Sequence, residues 1–182
     1  YIGAMSAAAN FAWCNRQLLA HCVRLTFGEV LHGKVKDPWL RQIYDVAHNI
    51  AKVEEHAVSG RMMKMCVHRK GATRAFPAGS PEVPPVYRNV GQPVIIPGSM
   101  GTESYILVGQ QGSLEATFGT TCHGAGRSMS RAAARRGNSA EELVRELAQQ
   151  GIRVRGASMA GIVEEAPDAY KDVSRVVNVV HR

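Results

Sequence analysis

Residues 4 to 31 are rich in Ala, Leu and Val and hold no proline, and Ala7, Phe11, Cys14, Leu18, Cys22 and Leu25 recur at three- and four-residue steps. That spacing predicts one long core-facing helix, with Cys14, Cys22 and His21 as packing residues. Gly33 to Trp39 reads as a turn, and Leu40 to Glu55 fits neither the helical nor the strand period. Met62 to Val67 predicts a strand, its methionines filling core or lining an edge, that feeds a basic turn at Arg69-Lys70-Gly71. The prolines and glycines between Pro77 and Pro93 predict a long surface loop. Val94 to Ile96 and Ser104 to Val108 are strand candidates on either side of the turn Pro97-Gly98-Ser99-Met100-Gly101, and Ala116 to Thr121 is a third.

After Cys122 the pattern turns helical, with Gly124-Ala125-Gly126 leading into a helix from Arg127 to Arg136. Asn138-Ser139 opens the next helix, in which Ser139 and Glu142 form a capping box and Gly151 closes the far end. Ile152 to Arg155 predicts a strand and Asp168 to Val180 a terminal helix. Strands and helices mixed without regular alternation imply an α+β fold, its elements gathered around one core.

Length and charge narrow the function classes. At 182 residues with 45% hydrophobic positions the chain can bury a core, which excludes a disordered tail or a disulfide-stapled mini-protein. No apolar run reaches the roughly 18 residues needed to cross a bilayer, and no repeat of solenoid length recurs. Lys+Arg 22 against Asp+Glu 15 gives +7, and a pI near 9.5 points to polyanionic partners such as nucleic acid or nucleotides, or to nothing more than a basic surface. Cys14, Cys22, Cys66 and Cys122 form no Cys-x-x-Cys pair and no signal peptide precedes them, so a reduced, cytoplasmic setting is expected. The start at Tyr1 without Met and the stop at Arg182 after an apolar-periodic stretch lead us to expect one partial domain over residues 1–182, cut from something longer at both ends.

Three clusters could carry chemistry. In Cys122-His123-Gly124-Ala125-Gly126-Arg127, a Gly-x-Gly turn at a helix start would offer backbone N–H groups to a phosphate, with His123 beside it as general acid or as a nucleophile that takes up a phosphoryl group. Arg127, Arg131 and Arg135 follow at four-residue steps, as a track for a nucleic-acid backbone or as an ordinary solvated face. His48, with Asp45 and Asn49 nearby, is a candidate metal ligand or a structural histidine, and no recognised metal spacing joins it to His21, His32, His56, His68 or the cysteines. Ser99 and Ser104 bracket a glycine turn where a nucleotide could be held. Arg69 and Lys70 could touch phosphate or merely keep a turn wet. A Gly-x-Ser-x-Gly elbow and a binuclear carboxylate set are both missing, which removes a serine hydrolase and a metal phosphohydrolase from consideration.

Taken together, four ordered stretches resemble the RtcB RNA-splicing ligases. They are Tyr-Asp-Val-Ala-His-Asn-Ile-Ala-Lys-Val-Glu (44–54), Val-His-Arg-Lys-Gly-Ala-Thr-Arg-Ala-Phe-Pro (67–77), Gly-Gln-Pro-Val-Ile-Ile-Pro-Gly-Ser-Met-Gly-Thr (91–102) and Thr-Cys-His-Gly-Ala-Gly-Arg (121–127). Ala-Ala-Asn-Phe-Ala (8–12) and Asp-Ala-Tyr-Lys (168–171) also fit, so the likeness runs over nearly the whole chain in the family's order. The resemblance implies the C-terminal part of an RtcB-type fold and a ligase that joins RNA ends bearing a 2′,3′-cyclic phosphate or 3′-phosphate to a 5′-hydroxyl. GTP and Mn²⁺ would be its cofactors, with GMP carried covalently on His123. By matching motif, His48 resembles a manganese ligand that also borders the nucleotide, and Asn49 follows it in the pocket. Pro97, Gly98, Ser99, Met100 and Ser104 resemble the guanosine side, His123, Gly124, Ala125 and Gly126 the phosphate side, and Tyr170 a further wall. Lys70, Arg127 and Arg131 resemble positions that grip RNA phosphate.

The implied partners are RNA, as tRNA halves or other broken ends, and an archease-type activator, with no membrane. Two departures stand out. The family's other metal ligands, an Asp, a Cys and two His, have no counterpart within these residues, nor does its closing lysine, so the segment is expected to be inactive alone. Glu103 places a carboxylate where a smaller residue is expected. The alternative reading is a non-catalytic basic RNA-binding module.

Overall fold

The computed structural model describes residues 1–137 and 139–181, so Asn138 and Arg182 lie outside the described residues. The fold is α+β, and the chain divides into two compact units, Tyr1–Arg74 and Ala75–Arg182.

The first unit begins with α1 (Ile2–Val30), continuous as its periodicity predicts. It is not core-facing: none of its residues is buried, and Cys14, His21 and Cys22 are exposed. The three- and four-residue steps identify apolar positions but not a cover for them: Leu19, Val23 and Phe27 share one face by their four-residue spacing and are all exposed. Polar contacts tie α1 to the chain that follows. Arg16 pairs with Asp45, Arg24 Nε donates to the Leu40 carbonyl at 2.8 Å, and the Arg24 guanidinium lies 5.6 Å from the Trp39 ring centroid. Among the described residues no helix is long and apolar enough to cross a membrane.

Residues 40–47 have no regular structure, and the undecided stretch ends in β1 (Asn49–Val58), which pairs antiparallel with β2 (Arg61–Lys70). Ser59 and Gly60, at φ +49° and +77°, form the two-residue turn whose handedness matches the strand twist. β2 therefore runs through Arg69 and Lys70, which the sequence places in a basic turn after the strand. Met62 and Met63 are strand residues left exposed rather than core filling. β3 (Ala72–Arg74) closes the unit.

The second unit holds the apolar cluster Ala75, Val94, Ile96, Ala125 and Val173, with Tyr105, Leu107, Cys122, Val176 and Val177 packed against it. The hairpin of β4 (Pro93–Ile96) and β5 (Tyr105–Val108) supplies its sheet, in the register Ile96↔Tyr105. Apart from a short 3-10 turn at Pro85–Tyr87, residues 77–92 form the expected loop.

Four boundaries differ from expectation. Gln111–Thr117 is a helix, α2, ended by Phe118 and Gly119 at positive φ, so that only Thr120–Cys122 remains as β6. The helix after the glycines, α3 (Arg131–Gly137), starts four residues late because Ser130 caps it, its Oγ accepting from Ala133 N–H at 3.2 Å. In α4 (Ala140–Gln149), Ser139 is the N-cap as predicted, accepting from Glu142 N–H, but the Glu142 carboxylate faces Arg145 instead of closing the capping box; Gly151 turns the chain at φ +79°, as expected. Residues 152–155 then run without a strand assignment, and α5 (Met159–Glu164) follows, capped by Ser158. The terminal helix is shorter than expected: Pro167–Ala169 is a 3-10 turn, and α6 (Val173–Val180) begins where Asp172 accepts from Ser174 and Arg175 N–H.

Ile96 is fully buried while its neighbour Ile95 is 41% exposed, as strand alternation requires. Ile96→Ala should cost about 3 kcal/mol and Ile95→Ala less than about 1, read from urea midpoints at constant m.

Candidate functional site

The second unit's site begins where the core ends. β4 delivers the chain from buried Ile96 into a tight turn over residues 97–104, and β5 takes it back. Ser99 N–H donates to Thr102 Oγ1 at 2.7 Å, Thr102 N–H donates to the Ser99 carbonyl at 3.2 Å, and Gly98 N–H donates to Ser104 Oγ at 3.3 Å. Only glycine fits at 98, because a Cβ there would stand 2.1 Å from the Glu103 carbonyl oxygen. Glu103 itself is exposed. A Cβ at Gly101 would lie 3.1 Å from Leu147 and 3.4 Å from Ile152, which places α4 and the chain after it behind the turn. Thr102, the staple of this turn, was not a predicted site residue; its signal was the Ser-x-x-Thr spacing.

The His123 loop leans on the same turn. Cys122 packs on the core, Ala125 is buried in it, and Ala125 N–H donates to the Pro97 carbonyl at 3.2 Å. Gly124 and Gly126 adopt φ of +128° and +76°, conformations that side chains rarely take. The loop is therefore not the mouth of a helix as expected: α3 starts at Arg131, beyond it. His123 is half-buried.

A third segment joins at Tyr170. Arg127 and Tyr170 form an antiparallel bridge, flanked by Lys171 N–H to the Gly126 carbonyl at 2.9 Å and Ser128 N–H to the Ala169 carbonyl at 2.8 Å. The Tyr170 hydroxyl donates to Glu165 Oε2 and accepts from Arg127 Nη1 at 3.0 Å. Burial, then the bond to Glu165, pushes the phenol's pKa up, so Tyr170 keeps its proton through the neutral range. The three arginines do not form one helix face. Arg127 lies in the loop, while Arg131 and Arg135 extend from α3 towards Glu164 and Glu165, at 3.6 and 3.7 Å for Arg131 and 3.2 Å for Arg135.

His48, Asn49 and Lys70 lie together in the first unit, at the open end of its hairpin. Asn49 stands opposite Lys70, and Gly71 N–H donates to the His48 carbonyl at 2.8 Å. Below this end is a buried ionic group that sequence reading missed. Arg69 donates both Nη groups to Glu54 at 2.8 Å, and His56 Nε2 lies 3.0 Å from Glu54 Oε2. The three are 2%, 9% and 4% exposed, respectively. Burial pushes the Glu54 carboxyl up, but hydrogen bonds from Arg69 and His56 and the charges of Arg69 and Arg74 outweigh it and hold the pKa below the usual value. Among the described residues no three His, Cys, Asp or Glu side chains gather to hold a metal, around His48 or elsewhere.

Comparison with known proteins places these features in context. The family described as tRNA-splicing ligase RtcB matches residues 1–182. The tRNA-splicing ligase RtcB of Thermococcus kodakarensis is 60% identical over 181 residues, covering 100% of this chain and 38% of that protein. That of Archaeoglobus fulgidus is 58% identical over 182 residues, with 100% and 38% covered, and that of Nanoarchaeum equitans 52% over 181, with the same coverage. The chain thus spans 38% of the length of these relatives.

Because its folded-state pKa is lowered, Glu54 stabilises fully above the unfolded-state value of about 4.3, and the contribution is lost as pH falls through the lower folded value. Glu54→Gln should therefore cost about 3–5 kcal/mol at pH 7, by stranding Arg69, and clearly less at pH 2–3. Urea unfolding followed by circular dichroism at both pH values checks this.

Proposed function

Because the chain belongs to the RtcB family, we propose that it is the nucleophile-bearing segment of a GTP- and manganese-dependent RNA ligase acting on 3′-phosphate or 2′,3′-cyclic phosphate ends and 5′-hydroxyl ends. The observation that carries this reading is the seating of the His123 loop on the Pro97–Ser104 turn through the Ala125 to Pro97 bond. That bond seats the backbone that follows His123 against a glycine turn with no room for a Cβ at Gly98.

A ring nitrogen of His123 attacks the α-phosphorus of GTP, and the bond to the β-phosphate oxygen breaks as pyrophosphate leaves with its electron pair. The guanylate passes from His123 to the RNA 3′-phosphate, and the 5′-hydroxyl then displaces GMP to form the phosphodiester. Residues Pro97 to Met100 and Ser104 would hold the guanosine, Gly124 to Gly126 the phosphates, Tyr170 would wall the pocket, and Lys70 and Arg131 would meet RNA phosphate. Arg131 suits that role, since its side chain is 67% exposed and its ion pairs are long. His48 and Asn49 would border the nucleotide. Manganese would take His48 as one ligand and would supply Lewis-acid stabilisation of phosphate charge, and among the described residues no group of three His, Cys, Asp or Glu side chains gathers to hold it. For that reason we expect no ligation from this segment alone.

Set in a polypeptide of the relatives' full length and incubated with GTP and Mn²⁺, the segment should acquire an acid-labile GMP adduct on His123, located by peptide mass spectrometry and absent from His123→Ala. Failure to form it with metal demonstrably bound overturns the reading.

A further inference from the structure

We propose that Arg127 is a positioning residue, holding the His123 loop and Tyr170 in place for nucleotide transfer, rather than a contact to RNA phosphate. The inference rests on the ligase reading above and assigns Arg127 a different role from the one its motif implies.

Every nitrogen of the guanidinium already has a protein acceptor. Nε donates to the Met129 carbonyl at 3.1 Å, Nη2 to the Glu164 carbonyl at 2.6 Å, and Nη1 to the Tyr170 hydroxyl at 3.0 Å and Glu165 Oε1 at 3.4 Å. Its carbon lies 4.9 Å from the Tyr170 ring centroid, so the cation also covers the face of the ring whose hydroxyl it binds. The side chain is 24% exposed, against 67% for Arg131.

Turning Arg127 outward to a phosphate would strip two backbone carbonyls and a carboxylate of their donor. Leaving partly buried acceptors unmade is costly, whereas Arg131 can swing to a phosphate by giving up only long ion pairs. The planar fork is also what this site needs. One side chain joins the loop after His123, the end of α5 and the Tyr170 segment, and an ammonium on a flexible stem cannot reproduce that set of directions.

The backbone points the same way. The bridge between Arg127 and Tyr170, with the bonds of Gly126 to Lys171 and Ser128 to Ala169 on either side, fastens the loop within four residues of His123. Glu165 completes the arrangement by accepting the hydrogen bond that the Tyr170 hydroxyl donates, which leaves the phenol oxygen's lone pairs to Arg127.

The test uses the full-length polypeptide and separates the two roles by step. A positioning residue affects guanylylation of His123 with no RNA present, whereas a phosphate contact affects RNA binding and its salt dependence. Arg127→Gln should slow RNA-free guanylylation tenfold or more at saturating GTP and leave the slope of log K for RNA against log salt unchanged. Arg131→Gln should reduce that slope by about one. Arg127→Lys, which keeps the charge, should not rescue the rate. Tyr170→Phe, which removes one hydroxyl and guards against a misfolded Arg127 variant, should slow the same step severalfold with a melting temperature close to the parent's. Parental guanylylation rates in Arg127→Gln and Tyr170→Phe, a slope lowered by about one in Arg127→Gln, or rate losses that merely follow the folded fraction would each overturn the proposal. A parent that forms no adduct overturns the ligase reading and this proposal with it; a parent that forms one, with variants that match it, overturns this proposal alone.

Discussion

Ile96, Ala125 and Val173 meet in one buried cluster, and the geometry of the second unit's site follows from that contact. Each comes from a different segment, and each lies a few residues from a candidate functional group. Ile96 leads directly into Pro97, Ala125 sits two residues beyond His123, and Val173 lies three beyond Tyr170. Turns rich in glycine and serine have little apolar area of their own with which to hold a shape. Their spacing is instead set by side chains that close-pack beneath them, where small displacements are resisted. The polar contacts above the core then refine what packing has placed: the Thr102 staple closes one turn, the Ala125 to Pro97 bond joins two, and Arg127 joins the third.

A second constraint is the distribution of charge. The excess of +7 suggests a chain covered in free cations. The structure instead gives several of them specific partners. Arg69 lies in a bidentate pair with Glu54, Arg16 meets Asp45, and Arg127, Arg131 and Arg135 share Glu164 and Glu165. Adjacent residues in β2 show how sharply roles divide. Strand alternation sends the Arg69 side chain inward to Glu54 and the Lys70 side chain to the other face, so one basic residue anchors the hairpin while the next remains exposed.

The sequence was most legible where local chemistry decides the outcome. The extent of α1, the β4–β5 pair and the Ser139 cap each follow from periodicity or a capping residue acting on its own neighbours. The family's motifs were legible by their order, and the structure seats the turns of the second unit on one packed cluster and sets His48, Asn49 and Lys70 at one hairpin end. What failed depended on distant partners. The cover of α1 cannot be read from α1. The position of Glu54 beside Arg69 follows from a pairing register that no short window contains, and the inward direction of Arg127 depends on Tyr170 and Glu165, far along the chain. The late start of α3 is a different kind of miss, since Ser130, the residue that caps it, lies inside the stretch that reads as helical.

The bridge from Arg127 to Tyr170 also dates the site in the life of the chain. During synthesis, the β1–β2 hairpin joins neighbours across a two-residue turn and can close soon after Lys70 emerges. The His123 loop has no such local closure. Its far side is fastened only when Ala169 to Lys171 have been made, which at ribosomal speeds is a few seconds to about ten seconds after His123 itself. Through that interval the histidine exists as a side chain without a pocket. The nucleotide-transfer site proposed here is thus a late product of vectorial folding, in place only once nearly all of this chain has left the ribosome.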